Sequence, residues 1–279
     1  RRQHPIHYYI ADFYCHEKKL FNQKQTVMIV FSIDPRICTT QNGENIFKQS
    51  YLNKLQYAQL MNYDVIYNRR FINEDLNITG RYTKIALLRE LMLNESKLEK
   101  FSTKRHEWFF WIDSDALVND MSFKLPLRRY KHAHLVAWGN EDSIFKTPDN
   151  TNGINSGVLL IRNSKWSLHL FNELIKFAPN DGEIRKDEMK KVIKIYNPHI
   201  RDQNAFVYVI NRNPNYMYKI YFEHEFYLNG YFLHYFEMPN YNPFIIHFAT
   251  CSFCYERFNK CLSTWPIFYG SDLNWQYNI

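Results

Sequence analysis

No apolar run in this 279-residue sequence approaches the roughly 20 residues that a membrane-spanning helix requires. Nor do like charges gather into a stripe, although Lys and Arg outnumber Asp and Glu by 35 to 28. That scatter argues against a nucleic-acid-binding face, which needs clustered cations to follow a phosphate backbone. Internal repeats and low-complexity linkers are absent, which favours a single domain over an array. Arg1 opens no signal peptide, so the protein is expected either to be cytosolic or to be held by an anchor outside this chain. Cysteine is sparse, with only Cys15, Cys38, Cys251, Cys254 and Cys261. Cys251-x-x-Cys254 with Cys261 lacks a fourth zinc ligand at regular spacing, and it follows a strand-like run where a redox pair would open a helix. A disulfide among these three, with Cys38 or Cys15 also available, is the expectation, and it implies an oxidising lumen. Its connectivity stays open.

What is present suits a globular protein: 46% of residues are hydrophobic and 23% charged. The length allows one large domain or two small ones. The 21 Tyr and 22 Phe fit a carbohydrate ligand, whose apolar ring faces pack on aromatic side chains. A net charge of +7 is compatible with an anionic nucleotide sugar, which needs only local positive charge. The apolar run 26–31 reads as a buried strand, residues 47–61 as a helix and 63–67 as a second strand. Ile85, Leu88, Arg89 and Met92 mark another helix before a strand that ends at Asp113. This β-α-β-α-β alternation predicts an α/β fold, a doubly wound, mostly parallel sheet flanked by helices. Further on, residues 135–138 and 158–161 are strand-like. Ser164 reads as the N-cap of a helix whose Trp166, Leu170, Phe171, Leu174 and Phe177 belong to the core. A charged, solvated helix is expected over about 183–196.

The most informative stretch is Trp111-Ile112-Asp113-Ser114-Asp115-Ala116. In extended backbone, residues i and i+2 point the same way, so both acids reach one cation at the strand's C-terminal edge, where open α/β sheets bind ligands. Oxygen ligands favour a hard ion such as magnesium or manganese, and such ions bridge phosphates. The competing readings are a capped or solvated turn and a haloacid dehalogenase-like phosphatase. That phosphatase pattern wants Thr or Val where this chain has Leu117. Gly153-Ile154-Asn155-Ser156-Gly157 reads as a turn or as backbone that a ligand approaches closely. In Arg201-Asp202-Gln203, the acid is a helix cap or a carboxylate held at a helix start beside a pocket. His247, in an apolar strand, is either a satisfied core residue or a third ligand suited to manganese.

Taken in order, these pieces resemble glycosyltransferase family 34, which contains xyloglucan xylosyltransferases and fungal galactosyl- and mannosyltransferases. The resemblance covers about residues 27–261. Its markers are Pro35-Arg36-Ile37-Cys38, Asn53-Lys54, Tyr57-Ala58, the stretch from Trp111 to Ala116, and that from Gly153 to Gly157. They continue with Leu160-Ile161-Arg162-Asn163, Trp166-Ser167-Leu168, Asp202-Gln203, Tyr227-Leu228 with Gly230-Tyr231, and His247-Phe248 with Cys251-x-x-Cys254. Plant members read Gly-Cys-Lys-Pro-Cys where this chain has Thr250-Cys251-Ser252-Phe253-Cys254. They read His-Gly-Tyr-Trp where it has Asn229-Gly230-Tyr231-Phe232.

The resemblance implies a nucleotide-diphospho-sugar transferase fold of the GT-A type. It makes about 1–25 a stem and about 26–279 one catalytic domain, its nucleotide-sugar half near 26–116 and its acceptor half near 117–279. It implies a retaining hexosyl- or pentosyltransferase that uses Mn2+, with Mg2+ as the substitute. Xylose or galactose, carried by UDP, is the favoured sugar, with GDP-mannose behind, and the acceptor is an oligo- or polysaccharide or an N-glycan. Carried over by position, Asp113, Asp115 and His247 are the metal ligands, and Asp202 and Gln203 sit beside the reacting carbon. Ser32, Lys84, Ser114, Asn155, Ser156 and Gly157 lie on the donor side; Trp138, Asn140, Gly230 and Tyr231 lie on the acceptor side. Family members are type II Golgi proteins, some of which associate with one another, so this chain is expected in the Golgi lumen with its anchor outside the sequence. A catalytically silent glycan-binding subunit of the same fold is the alternative.

Overall fold

A strand covered on both faces must be apolar throughout, and β1 (Val27–Ser32) meets that condition, buried from Val27 to Phe31. It belongs to a computed structural model that describes residues 27–32, 40–68, 78, 82–94, 106–148, 153–194, 201–223, 227–238, 242–249, 251, 253 and 259–270. Helix α1 (Gln41–Met61) starts where the Thr40 hydroxyl accepts the Gly43 amide (3.0 Å), and it ends at Asn62, whose φ is 56°. Its buried positions Ile46, Ser50, Asn53, Lys54, Tyr57 and Ala58 recur at helical spacing and mark one inward face. Strand β2 (Asp64–Asn68), helix α2 (Thr83–Leu93) and strand β3 (Trp108–Ile112) follow. Strand β1 pairs in parallel with β2 on one side and β3 on the other, each reached by a crossover connection.

The chain then forms β4 (Ala116–Val118), β5 (Leu135–Gly139), α3 (Asp142–Phe145) and β6 (Ile154–Arg162). Helices α4 (Lys165–Leu174), α5 (Lys186–Lys190) and α6 (Asp202–Asn211) lead to β7 (Ile220–Glu223). Strands β8 (Gly230–Tyr231) and β9 (Ile245–His247) and helix α7 (Asn259–Gly270) complete the order. The main sheet has six strands in the order β2-β1-β3-β6-β5-β7, and a smaller sheet has the order β4-β9-β8. Only β6 runs against its neighbours in the main sheet. The expected mostly parallel α/β architecture is the one observed.

Residue alternation along β3 divides the core. Phe109 and Trp111 face the layer that includes α2, α4 and α6, while Trp108, Phe110 and Ile112 face the side that holds Tyr57 and Ala58 of α1. A third cluster joins Ile46, Leu117, Ile246 and Phe248 to Trp265 and Phe268 of α7, close to a Cys251–Cys261 disulfide. That bridge settles the open pairing for these two cysteines; Cys15, Cys38 and Cys254 lie outside the described residues. Ser164 caps α4 as expected, accepting the Ser167 amide at 3.2 Å.

Two expectations are corrected. The charged helix over 183–196 is broken into a 3₁₀ segment and the five-residue α5. Ile184 is 69% exposed, so the segment is anchored only further on, where Met189 and Ile193 are buried. The Gly153 to Gly157 stretch is not a turn: from Ile154 onward it forms the first half of β6. Among the described residues, no helix is long and apolar enough to cross a membrane.

Candidate metal and donor site

Strand β3 delivers its last residue to the C-terminal edge of the sheet, and the backbone then turns. The Asp113 amide continues the ladder to Gly157 O (2.8 Å), while the Ala116 amide closes a turn on Asp113 O (3.2 Å). Asp113 and Asp115 therefore converge through a turn and not through strand alternation, which corrects the expected geometry. Beyond the turn, β4 pairs antiparallel with β9 so that Ala116 faces His247, and the Phe248 amide donates to Asp115 O (2.8 Å). One ligand atom from each of Asp113, Asp115 and His247 falls within 4.8 Å of the others.

The surroundings of His247 test whether this set suits a cation. The imidazole is buried, with Nδ1 2.9 Å from Asn229 Oδ1 and Nε2 3.3 Å from Asp115 Oδ1. With Nδ1–H donating to Asn229, the lone pair on Nε2 faces a carboxylate oxygen. In that neutral tautomer Nε2 and the facing carboxylate oxygen can both ligate a cation, whereas a protonated ring would pair with Asp115 directly. Two carboxylates and one imidazole fit a divalent ion. The ring lies directly on the backbone of Gly157, where an added Cβ would sit 2.1 Å from His247 Cε1. Tyr231 also stacks on it, at 6.2 Å between centroids.

A buried charge network adjoins these three residues. Lys84, near the start of α2, places Nζ 3.2 Å from Asp113 Oδ1 and 3.1 Å from Asp202 Oδ2, and it donates to Ser156 O at 2.9 Å. Burial pulls its pKa down, but Asp113 and Asp202 together override that and hold it above the usual lysine value. Burial raises the pKa of Asp113, with Lys84 opposing and Asp115 adding to the rise. The Trp111 indole N–H also donates to Asp113 Oδ1 (2.6 Å). Asp202, at the first turn of α6, is 3% exposed and accepts from Ser156 Oγ at 2.5 Å. Beside it, Gln203 Nε2 donates to Ile154 O (3.0 Å). Asn155 accepts the Gly157 amide and donates through Nδ2 to the Tyr231 hydroxyl (2.7 Å), which joins β6 to β8. Trp138 meets Tyr231 edge-on at 5.7 Å.

Most sequence-expected residues thus meet at one place. Ser114 lies on the turn between the acids, and Gly230 pairs with Ile246 next to the histidine strand. Ser32 ends β1 at the same sheet edge, where its hydroxyl accepts from Asn68 Nδ2 (3.2 Å). Asn140 follows Trp138 and Gly139 at the end of β5, its amide donating to Gly153 O (3.1 Å) and its Oδ1 accepting the Asp142 amide (2.8 Å). The Pro35 to Cys38 marker lies outside the described residues. Two roles escape the motif reading: the hydrogen bond that Trp111, at the head of the acidic motif, gives to Asp113, and that of Asn229 with His247. The only signal for Asn229 is that it stands where plant members have His.

The profile of the galactosyl transferase GMA12/MNN10 family matches residues 23–258. Galactomannan galactosyltransferase 1 of Cyamopsis tetragonoloba is 32% identical over 215 residues, covering 75% of this chain and 47% of that protein. Xyloglucan 6-xylosyltransferase 4 of Arabidopsis thaliana is 30% identical over 254 residues, covering 84% and 47%. The chain therefore spans about half the length of the curated relatives it matches. Among solved structures, a glycosyltransferase involved in glycosylating the major capsid of PBCV-1 aligns with a TM-score of 0.54 at 16% identity, over 87% of this chain and 99% of that one. That likeness concerns the fold, which is of the GT-A type.

Proposed function

The chain belongs to glycosyltransferase family 34, the galactosyl transferase GMA12/MNN10 family, and from that premise we propose a divalent-cation-dependent, retaining transferase that moves xylose or galactose from a nucleotide-diphosphate sugar to a glycan. One observation carries the reading: Asp113, Asp115 and His247 converge at the C-terminal sheet edge, directly beside the Lys84–Asp202 pair. The relatives named for galactose and xylose transfer put those two sugars ahead of mannose.

Asp113, Asp115 and His247 would hold the cation, and the imidazole favours manganese over magnesium. When bound, it supplies stabilisation of the negative charge on the departing diphosphate without a proton donor. The chain's own residues do the rest. Lys84 touches both Asp113 and Asp202 and so fixes the metal-side carboxylate relative to the sugar-side one. As the donor bond breaks, positive charge grows at the anomeric carbon, and Asp202 with Gln203 is placed to stabilise it. Asp202 Oδ2 is already engaged by Ser156 Oγ and Lys84 Nζ. A carboxylate so committed serves better as a fixed charge than as a nucleophile, which supports same-face attack by the acceptor hydroxyl, its proton passing to the leaving phosphate. Trp138 and Tyr231 offer an aromatic wall to the acceptor ring. The Cys251–Cys261 disulfide supports a lumenal, oxidising setting such as the Golgi.

The test is a panel of nucleotide sugars with Mn2+, following released nucleoside diphosphate for the parent and Asp115→Ala. Release from one donor, abolished in the variant and by chelation, is the expected result. No release from any donor, with oligosaccharide acceptors present and the protein folded, overturns the reading.

A further inference from the structure

Among the described residues, Lys54 is the largest fully buried charged side chain, 0% exposed on the inner face of α1. Its partners among the described residues are neutral. Nζ donates to Ser50 Oγ (2.5 Å) and Ala116 O (2.8 Å), reaches Ser50 O at 3.5 Å, and lies 5.3 Å from the Phe31 ring centroid. An ammonium buried without a carboxylate partner is costly. Burial lowers its pKa to about 7, with the charges of Asp115 and Asp113 pulling the other way. An apolar side chain of similar length would fill the space at lower cost, so the fold itself gives no reason for a lysine here.

The atom that it grips supplies the reason. Ala116 O belongs to the residue following Asp115, at the position paired with His247 across β4 and β9. On the far side, the Phe248 amide holds Asp115 O (2.8 Å), and the Ala116 amide closes the turn on Asp113 O (3.2 Å). The turn is thus held between α1 and β9. Two residues along, Asn53 binds Val118 in both directions, Nδ2 to Val118 O (2.9 Å) and Val118 N to Oδ1 (2.8 Å), which docks the strand itself. We infer that Lys54 is a positioning residue for the reaction: its Nζ, donating to Ala116 O, clamps the backbone just after Asp115, so that Asp113, Asp115 and His247 are held together before a cation arrives. The inference rests on reading those three as the metal ligands. Outer partners of metal ligands typically govern about 10–100-fold in metal affinity, and a site so held trades stability for function.

The test compares the full chain with Lys54→Met, Lys54→Gln and Asn53→Ala. In the metal-free proteins, amide hydrogen exchange at Ala116 and Phe248 should accelerate about ten-fold or more in Lys54→Met, although that variant melts at or above the parent temperature. Asn53→Ala should instead expose Val118 and lower the melting temperature, as a structural contact does. Mn2+ titrations, read from the paramagnetic resonance of the free ion, should show about 10–100-fold weaker binding in Lys54→Met and an intermediate loss in Lys54→Gln, which keeps a donor. Unchanged protection at Ala116 and Phe248 in both Lys54 variants overturns the inference, and so does Mn2+ affinity within about two-fold of the parent. A parent that binds no Mn2+ counts against the proposed function alone, and the metal-free exchange then decides the role of Lys54.

Discussion

On one side of the Asp113-Ser114-Asp115 turn, Lys84 is buried between two carboxylates and a serine. On the other side, Lys54 is buried against a hydroxyl, a carbonyl and an aromatic ring. Both ammonium groups are nearly or wholly removed from solvent, yet the Lys84 pKa lies above the ordinary value and the Lys54 pKa well below it. Charge is matched by charge on the side facing Asp202. On the α1 side, a buried hydrogen-bond donor grips the main chain. The difference separates two tasks that one turn must perform, presenting carboxylates to a ligand and staying in place while doing so.

The contrast predicts a ranked series of effects. Lys84→Met should be the most damaging change, because it leaves the buried Asp202, and the partly buried Asp113 beside it, without their shared cation. Loss of a partner from a buried pair costs about 3–5 kcal/mol, which denaturant unfolding at neutral pH should show, with transfer activity lost as well. If Lys84→Met were no more destabilising than Lys54→Met, the two sides would not differ as described. Next comes Gly157→Ala, whose new Cβ would meet the His247 ring at 2.1 Å. Displacing that ring should weaken Mn2+ binding about 100-fold while leaving far-ultraviolet circular dichroism unchanged. Asn229→Ala removes only the oxygen that orients the imidazole, so titration should show a smaller loss, about ten-fold.

The smallest effect is a slope. The folded pKa of Lys54, about 7, lies below the ordinary 10.5. Between those values the unfolded chain binds a proton that the folded chain has released. Stability should therefore rise with pH across this window, by up to about 1.4 kcal/mol per unit from this group. Denaturant unfolding from pH 7 upward should show that contribution in the parent and not in Lys54→Met.

Much of this arrangement was legible in the residues, because the local rules act over short distances. The apolar runs at Val27 and Trp108, the cap at Ser164 and the acid pair all announce themselves within a few positions. The resemblance to a known family placed His247 and Asp202 with the acids, and the folded chain brings them there. What stayed hidden depends on long-range pairing. The role of Asn229 appears only once β8 lies beside β9, and that of Lys54 only once α1 docks on β4. The 183–196 segment fails for a related reason, since its buried anchors Met189 and Ile193 sit only towards its later part and Ile184 lies in solvent.

The central claim is that Asp113, Asp115 and His247 form one divalent-cation site serving a nucleotide-sugar donor. Crystals grown with Mn2+ and a nucleoside diphosphate, with diffraction recorded at the manganese absorption edge, test it most directly. The account predicts one strong anomalous peak ligated by these three side chains and by diphosphate oxygens. A bound nucleotide with no metal at the three residues, or a metal held elsewhere on the chain, would contradict it.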